Sequence, residues 1–208
     1  MESEQKPPKF SLECGLDECG IGSAIAEVYV ASCILDPKKP IKGLADSKKL
    51  SPKRRKELSD QIRDCALDFC IATASLEEIE RLNILYASHL AMIRAIAGLR
   101  IRPDLVLIDG NKIPKGLTIP TQAIVNGDAT VPAISAASIL AKVARDQAMM
   151  KYHQQYPQYG FDVHKGYLTP PHFAALNQYG PCPVHRKSYA PIRTLLLAAT
   201  NRGQELLR

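Results

Sequence analysis

The chain has 208 residues, of which 46% are hydrophobic and 23% charged, a composition close to that of an average globular protein. This composition provides enough apolar residues for a sizeable core and excludes collagen-like, coiled-coil and low-complexity chains. Lysine and arginine number 27 and aspartate and glutamate 21, so the formal net charge is +6. Such an excess suits a polyanionic partner, but it is also found in proteins that have none.

We expect neither a secretory signal nor a membrane span in this chain. Residues 1–9 are mostly polar and contain two prolines, so we expect a flexible tail, followed by one domain over residues 10–208. No run approaches the roughly 18 apolar residues of a membrane span. The six cysteines form no C-x-x-C pair, which favours buried thiols over zinc or disulfides. We therefore expect a cytoplasmic, monomeric protein.

The first two predicted elements are strands. Apolar and polar residues alternate from residue 10 to 16, which predicts a half-buried strand that leads into Asp17 and Glu18. The apolar and β-branched residues 28–35 predict a buried second strand. Two adjacent carboxylates are thus expected at the end of the first strand.

Helix and strand signals then alternate. A serine followed by proline predicts the start of a helix over residues 52–65, and residues 68–74 are typical of a short strand. The capping-box sequence S-L-E-E opens a long helix that ends near Gly98.

Two further acids follow predicted strands. The apolar run 105–108 is typical of an interior strand and leads directly into Asp109. Residues 121–125 predict another strand, Asp128 lies in the turn that follows it, and a proline opens a long helix over residues 132–150. Each acid is therefore expected where a strand meets a loop or helix.

The remainder is expected to be loop-rich, with short helices around residues 171–179 and 191–200 and a helical C-terminal part from about residue 156. The order of strands and helices indicates an α/β fold in which a mixed sheet is flanked by helices. In such folds functional groups gather at strand ends and in the loops above the sheet.

Four acids brought together would repel one another, and each buried carboxylate would have a raised pKa unless a cation were present. Oxygen-only ligands select hard divalent ions, so the sequence predicts Mg²⁺ or Mn²⁺. A pair of such ions roughly 4 Å apart supports hydrolysis of a phosphodiester. Taken singly, an aspartate in a loop is more often a solvated turn residue, but that explanation weakens when the acids recur at strand ends.

A series of ordered sequence blocks runs through most of the chain. These blocks are G-L-D-E at 15–18, K-G-L-A-D-S-K-K-L at 42–50, L-N-I-L at 82–85, L-I-D-G-N at 107–111, G-D at 127–128, S-A-A-S-I-L-A-K-V at 135–143 with R-D at 145–146, Y-P-Q-Y-G-F at 156–161 and H-K-G-Y at 164–167. In these blocks the chain resembles the ribonuclease HII (type 2 ribonuclease H) family.

The resemblance implies an RNase H-like three-layer fold with a C-terminal helical extension. It also implies an endonuclease that cleaves the RNA strand of RNA–DNA hybrids and incises 5′ to single ribonucleotides in duplex DNA, leaving 5′-phosphate ends. By motif position Asp17, Glu18, Asp109 and Asp128 are expected to be the catalytic, metal-binding acids, with two metal ions. Asp146 is a rival fourth ligand, but it lies inside a predicted helix, and we assign it a supporting role.

The same resemblance implies that Gly20, Ile21, Gly22 and Tyr167 contact the ribose, since close backbone groups and an aromatic ring suit recognition of a 2′-hydroxyl. The family usually has arginine where this chain has Ile21. Two hypotheses remain open. Either backbone amides supply most of the contact and Ile21 is tolerated, or recognition of a lone ribonucleotide is weakened. A catalytically weakened, hybrid-binding paralogue is the further alternative.

Residues 38–56 form the strongest local charge asymmetry in the chain, with nine basic residues against Asp46 alone. Such a cluster is suited to phosphate contacts with a duplex, although solvated lysine loops are also common. Lys48 and Lys49 lie in a block shared with the family, so we expect both to bind substrate.

Overall fold

The computed structural model describes residues 12–44, 47 and 49–205, so the predicted N-terminal tail lies outside the described residues. Within this part the strands are β1 Glu13–Cys19, β2 Val28–Ile34, β3 Asp68–Ala74, β4 Leu105–Asp109 and β5 Thr121–Ile124. The helices are α1 Pro52–Cys65, α2 Leu76–Ala97, α3 Gly127–Thr130, α4 Pro132–Gln155, α5 Phe161–His164, α6 Pro170–Tyr179 and α7 Ala190–Glu205.

The five strands form one mixed sheet in the order β3-β2-β1-β4-β5. The β1–β2 and β2–β3 pairs are antiparallel, whereas β1–β4 and β4–β5 are parallel. In the β1–β4 pair Leu16 lies opposite Ile108, so the next residues along the two strands, Asp17 and Asp109, come to the same edge of the sheet. The topology thus brings together acids that are far apart in sequence.

Helices cover both faces of the sheet, which confirms the predicted α/β architecture. On one face, alternate residues of β2 such as Val28 and Val30 pack with buried residues of α2. On the other, Ala31 and Cys33 pack with α1 and α4. Alternation of side chains along a strand explains why neighbouring residues of β2 join different apolar clusters.

Helix α4 lies very close to β1. A Cβ atom added to Gly15 would lie only 2.0 Å from the backbone carbonyl carbon of Ala133, so glycine is required for this approach. The contact fixes α4 against the strand that carries Asp17.

The structure corrects three of the expected elements. Strand β1 continues through Asp17 and Glu18 instead of ending before them, because β2 pairs with it as far as Cys19. The long predicted helix α2 is interrupted at Asn83, whose φ is 67°. The segment after α4, in the part expected to be loop-rich with some helix, contains a short 3-10 helix at Pro157–Tyr159 and the one-turn helix α5, neither of which had been located.

The C-terminal part forms its own apolar cluster, in which Ala24, Ile25 and Ala26 pack with residues of α4, α5, α6 and α7. The segment just after β1 is therefore held by the C-terminal helices. No helix among the described residues is long and apolar enough to cross a membrane.

Candidate active site

Three acids from separate elements converge at one edge of the sheet. Asp17 lies in β1, Asp109 ends β4, and Asp128 lies in the first turn of α3. One carboxylate oxygen from each lies within 4.8 Å of the others, and Asp17 and Asp128 are buried. These three predicted site residues are therefore brought together.

Hydrogen bonds and burial set the state of these acids. Oδ1 of Asp109 accepts the backbone N–H groups of Gly127, at 2.8 Å, and of Asp128, at 3.3 Å. Burial, and then the negative charges of Glu18 and Asp109, raise the pKa of Asp17 well above its usual value, although a hydrogen bond with Ser138 opposes this. Ionisation of Asp17 is therefore unfavourable here without a cation beside it.

Glu18 does not belong to this group of three. It follows Asp17 on the same strand, and successive strand residues point to opposite faces. Its charge nevertheless acts on Asp17, and both residues line one cavity. The structure thus brings Glu18 to the border of the acidic cluster and not into it.

The cavity beside the acids has a volume of about 430 Å³. Its lining residues are Asp17, Glu18, Cys19, Ser47, Ser138, Lys142 and Tyr167. The hydroxyl groups of Ser47 and Ser138 lie 2.9 Å apart, which connects the lysine-rich segment to α4. The cavity therefore combines acids, hydroxyls, one lysine and an exposed aromatic ring.

The predicted ribose-contacting residues lie around this cavity. Tyr167 is 39% exposed, and a Cβ added to Gly22 would lie 3.9 Å from its Cε1 atom. Gly20 is buried with φ +100°, a conformation that favours glycine. Ile21 is half-buried and packs against the apolar cluster between the sheet and α2.

The basic segment is only partly available to a duplex. Lys49 is exposed, whereas Lys48 lies outside the described residues. Arg55, counted above among the phosphate-binding candidates, is instead buried. It donates to the carbonyls of Ser47 at 2.8 Å and Leu50 at 2.9 Å, so its role in the structure is to hold this segment.

Asp146 lies outside the acidic group of three. Its two carboxylate oxygens accept from Nζ of Lys142, at 2.8 Å, and Nη1 of Arg55, at 3.2 Å. Asp146 therefore connects a cavity-lining lysine with the arginine that holds the lysine-rich segment.

A family model described as "Ribonuclease HII" matches residues 14–192 of the chain. The chain belongs to the ribonuclease HII family. A curated ribonuclease HII from Desulforamulus reducens is 58% identical over 195 residues, which cover 94% of this chain and 98% of that protein. Membership identifies the chain as a type 2 ribonuclease H, an enzyme of the class that acts on RNA–DNA hybrids.

Solved structures agree with this assignment. The ribonuclease H2 of Pyrococcus horikoshii OT3 superposes with a TM-score of 0.74 at 27% identity, covering 88% of this chain and 96% of that one. Bst-RNase HIII, described in complex with Mn²⁺, superposes with a TM-score of 0.66 at 16% identity, over 91% of this chain and 70% of that one. The second likeness shows the fold alone.

Four residues of this ribonuclease HII were not among the predicted site residues: Ser47, Ser138 and Lys142, which line the cavity, and Arg145, which contacts Ser23. A signal was present, because residues 138, 142 and 145 follow helical spacing and therefore share one face of α4. That face is directed toward the cavity and the segment after β1.

Proposed function

We propose that this chain is a metal-dependent endonuclease that cleaves RNA strands paired with DNA and incises 5′ to a single ribonucleotide in duplex DNA. Asp17, Asp109, Asp128 and Glu18 are the proposed metal-binding and catalytic residues. The observation that carries the proposal is the convergence of three acids, distant in sequence, within 4.8 Å of one another beside an open cavity.

The donor set fits a hard divalent cation. Its ligand atoms are carboxylate oxygens, which suit Mg²⁺ or Mn²⁺ better than softer metals. Burial, and then the charge of Glu18, raise the pKa of Asp17, so a bound cation would favour its ionised form. When bound, two such ions would activate water and stabilise negative charge on the leaving oxygen.

The side chains around the acids support binding of a phosphate backbone and a ribose. Lys142 lines the cavity, and its ammonium group is held by Asp146 at 2.8 Å, so a cation lies close to the acids. We infer that the ring of Tyr167 packs against the sugar while the backbone around Gly22 approaches the 2′-hydroxyl. Lys49 is the described member of the predicted pair of phosphate-binding lysines.

Ile21 favours a second candidate function, a hybrid ribonuclease with poor recognition of isolated ribonucleotides. Its side chain packs against the apolar core and has no donor for a phosphate or ribose. Loss of one charge-assisted hydrogen bond costs about 1.5–3 kcal/mol, which is roughly tenfold to over a hundredfold in affinity. Long RNA tracts offer many productive registers and would suffer less.

The deciding experiment compares cleavage of a full RNA–DNA hybrid with that of a duplex carrying one ribonucleotide, each with Mg²⁺ and with Mn²⁺. Cleavage of both substrates supports the main proposal. Cleavage of the hybrid alone supports the second candidate, and Ile21→Arg should then raise incision at the lone ribonucleotide more than hybrid cleavage. Binding of the hybrid without cleavage under any condition would overturn both and leave a binding paralogue.

A further inference from the structure

Arg145 is a buried arginine that connects two distant chain segments. It lies on α4 with 0% exposure, and its Nη2 atom donates to the hydroxyl of Ser23 and to the carbonyl of Lys165, both at 2.8 Å. Ser23 lies in the segment after β1, and Lys165 lies two residues before Tyr167. One guanidinium group thus joins both segments to which we assign ribose contacts.

The same guanidinium group packs between Gly20 and Tyr167. Its Cζ atom lies 5.4 Å from the centroid of the Tyr167 ring, within the range of a cation–π contact. A Cβ added to Gly20 would lie 2.3 Å from Nε of Arg145. Gly20 therefore leaves room for the arginine, and the arginine in turn supports the tyrosine ring.

This arrangement is costly for the fold. Within the part of the chain that the structure describes, Nε and Nη1 of Arg145 are buried without a hydrogen-bond partner. Buried charged donors left unpaired are uncommon in folded proteins and call for an explanation. A packing role alone would be met by an apolar side chain of similar volume.

A second buried arginine lies beside the first. Arg186 donates to backbone carbonyls of residues 21, 23, 26 and 27, at 2.8 to 3.2 Å. Burial, and then the positive charge of Arg145, lower the pKa of Arg186 to about 10. The segment after β1 therefore lies on two mutually repelling buried cations, whose charge adds to the positive potential behind it.

We propose that Arg145 is a positioning residue for ribose recognition, which fixes the Tyr167 ring and the backbone of residues 20–23 in one relative geometry. The inference rests on the proposed function, because it assigns Tyr167 to the sugar. Discrimination between ribose and deoxyribose would then depend on Arg145, a residue that contacts neither sugar. The dependence acts through Tyr167.

The test measures dissociation constants for two duplexes of the same sequence, one all-DNA and one with a single ribonucleotide. The Asp109→Asn background is used to prevent cleavage. Recognition of the 2′-hydroxyl is reported by the dissociation constant of the all-DNA duplex divided by that of the ribonucleotide-containing duplex. In Arg145→Met this ratio should fall about tenfold. A merely structural role would weaken binding of both duplexes equally and leave the ratio unchanged, which would overturn the proposal.

Coupling to Tyr167 is tested by the double variant Arg145→Met with Tyr167→Leu. If Arg145 acts through the ring, the double variant should have the same ratio as Tyr167→Leu alone. If the fall in the ratio for the double variant is instead the product of the falls for the two single variants, Arg145 and Tyr167 contribute independently, and the proposal is contradicted. If Arg145→Met does not fold, Arg145→Lys keeps the buried charge but lacks the planar group, and an unchanged ratio in that variant is equally decisive against it.

Arg63→Met is the matched control, because Arg63 also packs over an aromatic ring, 5.2 Å from the centroid of Phe69, but lies on α1. Its ratio should equal that of the parent, and a similar fall there would overturn the assignment to Arg145. Failure of the proposed function has a different signature. In that case the unsubstituted chain cleaves neither RNA-containing substrate with either metal, whatever the Arg145 variants do.

Discussion

The carboxylate of Asp109 accepts the backbone N–H of Gly127 at 2.8 Å, which joins the end of β4 to the start of α3. This bond, with a longer one from the next N–H group, brings Asp128 beside Asp109. Asp109 therefore has a structural function through Oδ1 in addition to its charge. The two functions are separable, because an asparagine oxygen accepts the same hydrogen bonds.

Asp109→Asn is predicted to abolish metal-dependent cleavage of an RNA–DNA hybrid while the protein stays folded. Loss of a metal-binding charge should lower the rate about a thousandfold or more, and the retained acceptor should preserve Tm. Steady-state cleavage with Mg²⁺ or Mn²⁺ and thermal unfolding measure the two effects. Asp60→Asn, on the exposed surface of α1, is the control for the same chemical change. An unchanged rate in Asp109→Asn would remove this residue from the mechanism.

Gly20 and Gly22 form a matched pair that separates folding from substrate contact. At Gly20 φ is +100° and an added Cβ meets Arg145, so Gly20→Ala should destabilise the fold by about 1–3 kcal/mol. At Gly22 the nearest atom is 3.9 Å away, so Gly22→Ala should leave Tm unchanged. If substrate approaches this backbone closely, Gly22→Ala should still weaken hybrid binding. Equal affinity for the hybrid before and after that substitution would exclude the close approach.

Local sequence signals predicted the elements well where one short segment determines the structure. The strand at Asp68–Ala74 agrees residue for residue, and the capping box that opens α2 is present in both of its hydrogen bonds. The break at Asn83 was missed because its cause is a single side chain. Oδ1 of Asn83 accepts the N–H groups of Leu85 and Tyr86 and so starts the helix again.

The site was predictable only in part, for a different reason. The acids were found because each lies near a strand end, but their convergence depends on the parallel pairing of β1 with β4, which no local pattern encodes. The burial of Arg145 was not predicted because an arginine inside a helix usually faces solvent. Its partners Ser23 and Lys165 lie 122 and 20 residues away in sequence.

His172 and His185 are predicted to make the protein less stable in mild acid. Their Nε2 atoms lie 3.1 Å apart, and Nδ1 of His172 lies 3.0 Å from the carbonyl of Tyr167, which only accepts. His172 therefore donates through Nδ1. Nδ1 of His185 accepts the backbone N–H of Cys182 at 2.9 Å, so a neutral His185 donates through Nε2 to Nε2 of His172, and the contacts fit two neutral rings. Burial lowers both pKa values to about 4, with the charge of His172 contributing second at His185.

Proton uptake on unfolding explains why acid lowers the stability of the protein. Histidines in the unfolded chain titrate near pH 6.5, and below that pH they bind protons that the folded pair does not bind. The contribution of the neutral pair to the free energy of unfolding is therefore complete above pH 6.5 and is lost as the pH falls toward 4. The full loss is about 3 kcal/mol per histidine, of which about 2 kcal/mol falls between pH 7.5 and 5. Urea unfolding between pH 7.5 and 5 measures it, and His185→Gln should flatten the dependence more than His89→Gln on α2. The same slope in His185→Gln as in the unsubstituted chain would contradict this explanation.

Asp146→Asn is predicted to affect stability more than catalysis, the reverse of Asp109→Asn. The substitution weakens the ion pairs of Asp146 with Lys142 and with the buried Arg55, so the free energy of unfolding should fall by about 1–3 kcal/mol. Cleavage of the hybrid should stay within about tenfold of the parent rate, because the three clustered acids are intact. Asp60→Asn breaks an exposed pair and should cost at most about 1 kcal/mol. A thousandfold loss of activity in Asp146→Asn at full stability would instead make this residue a fourth metal ligand.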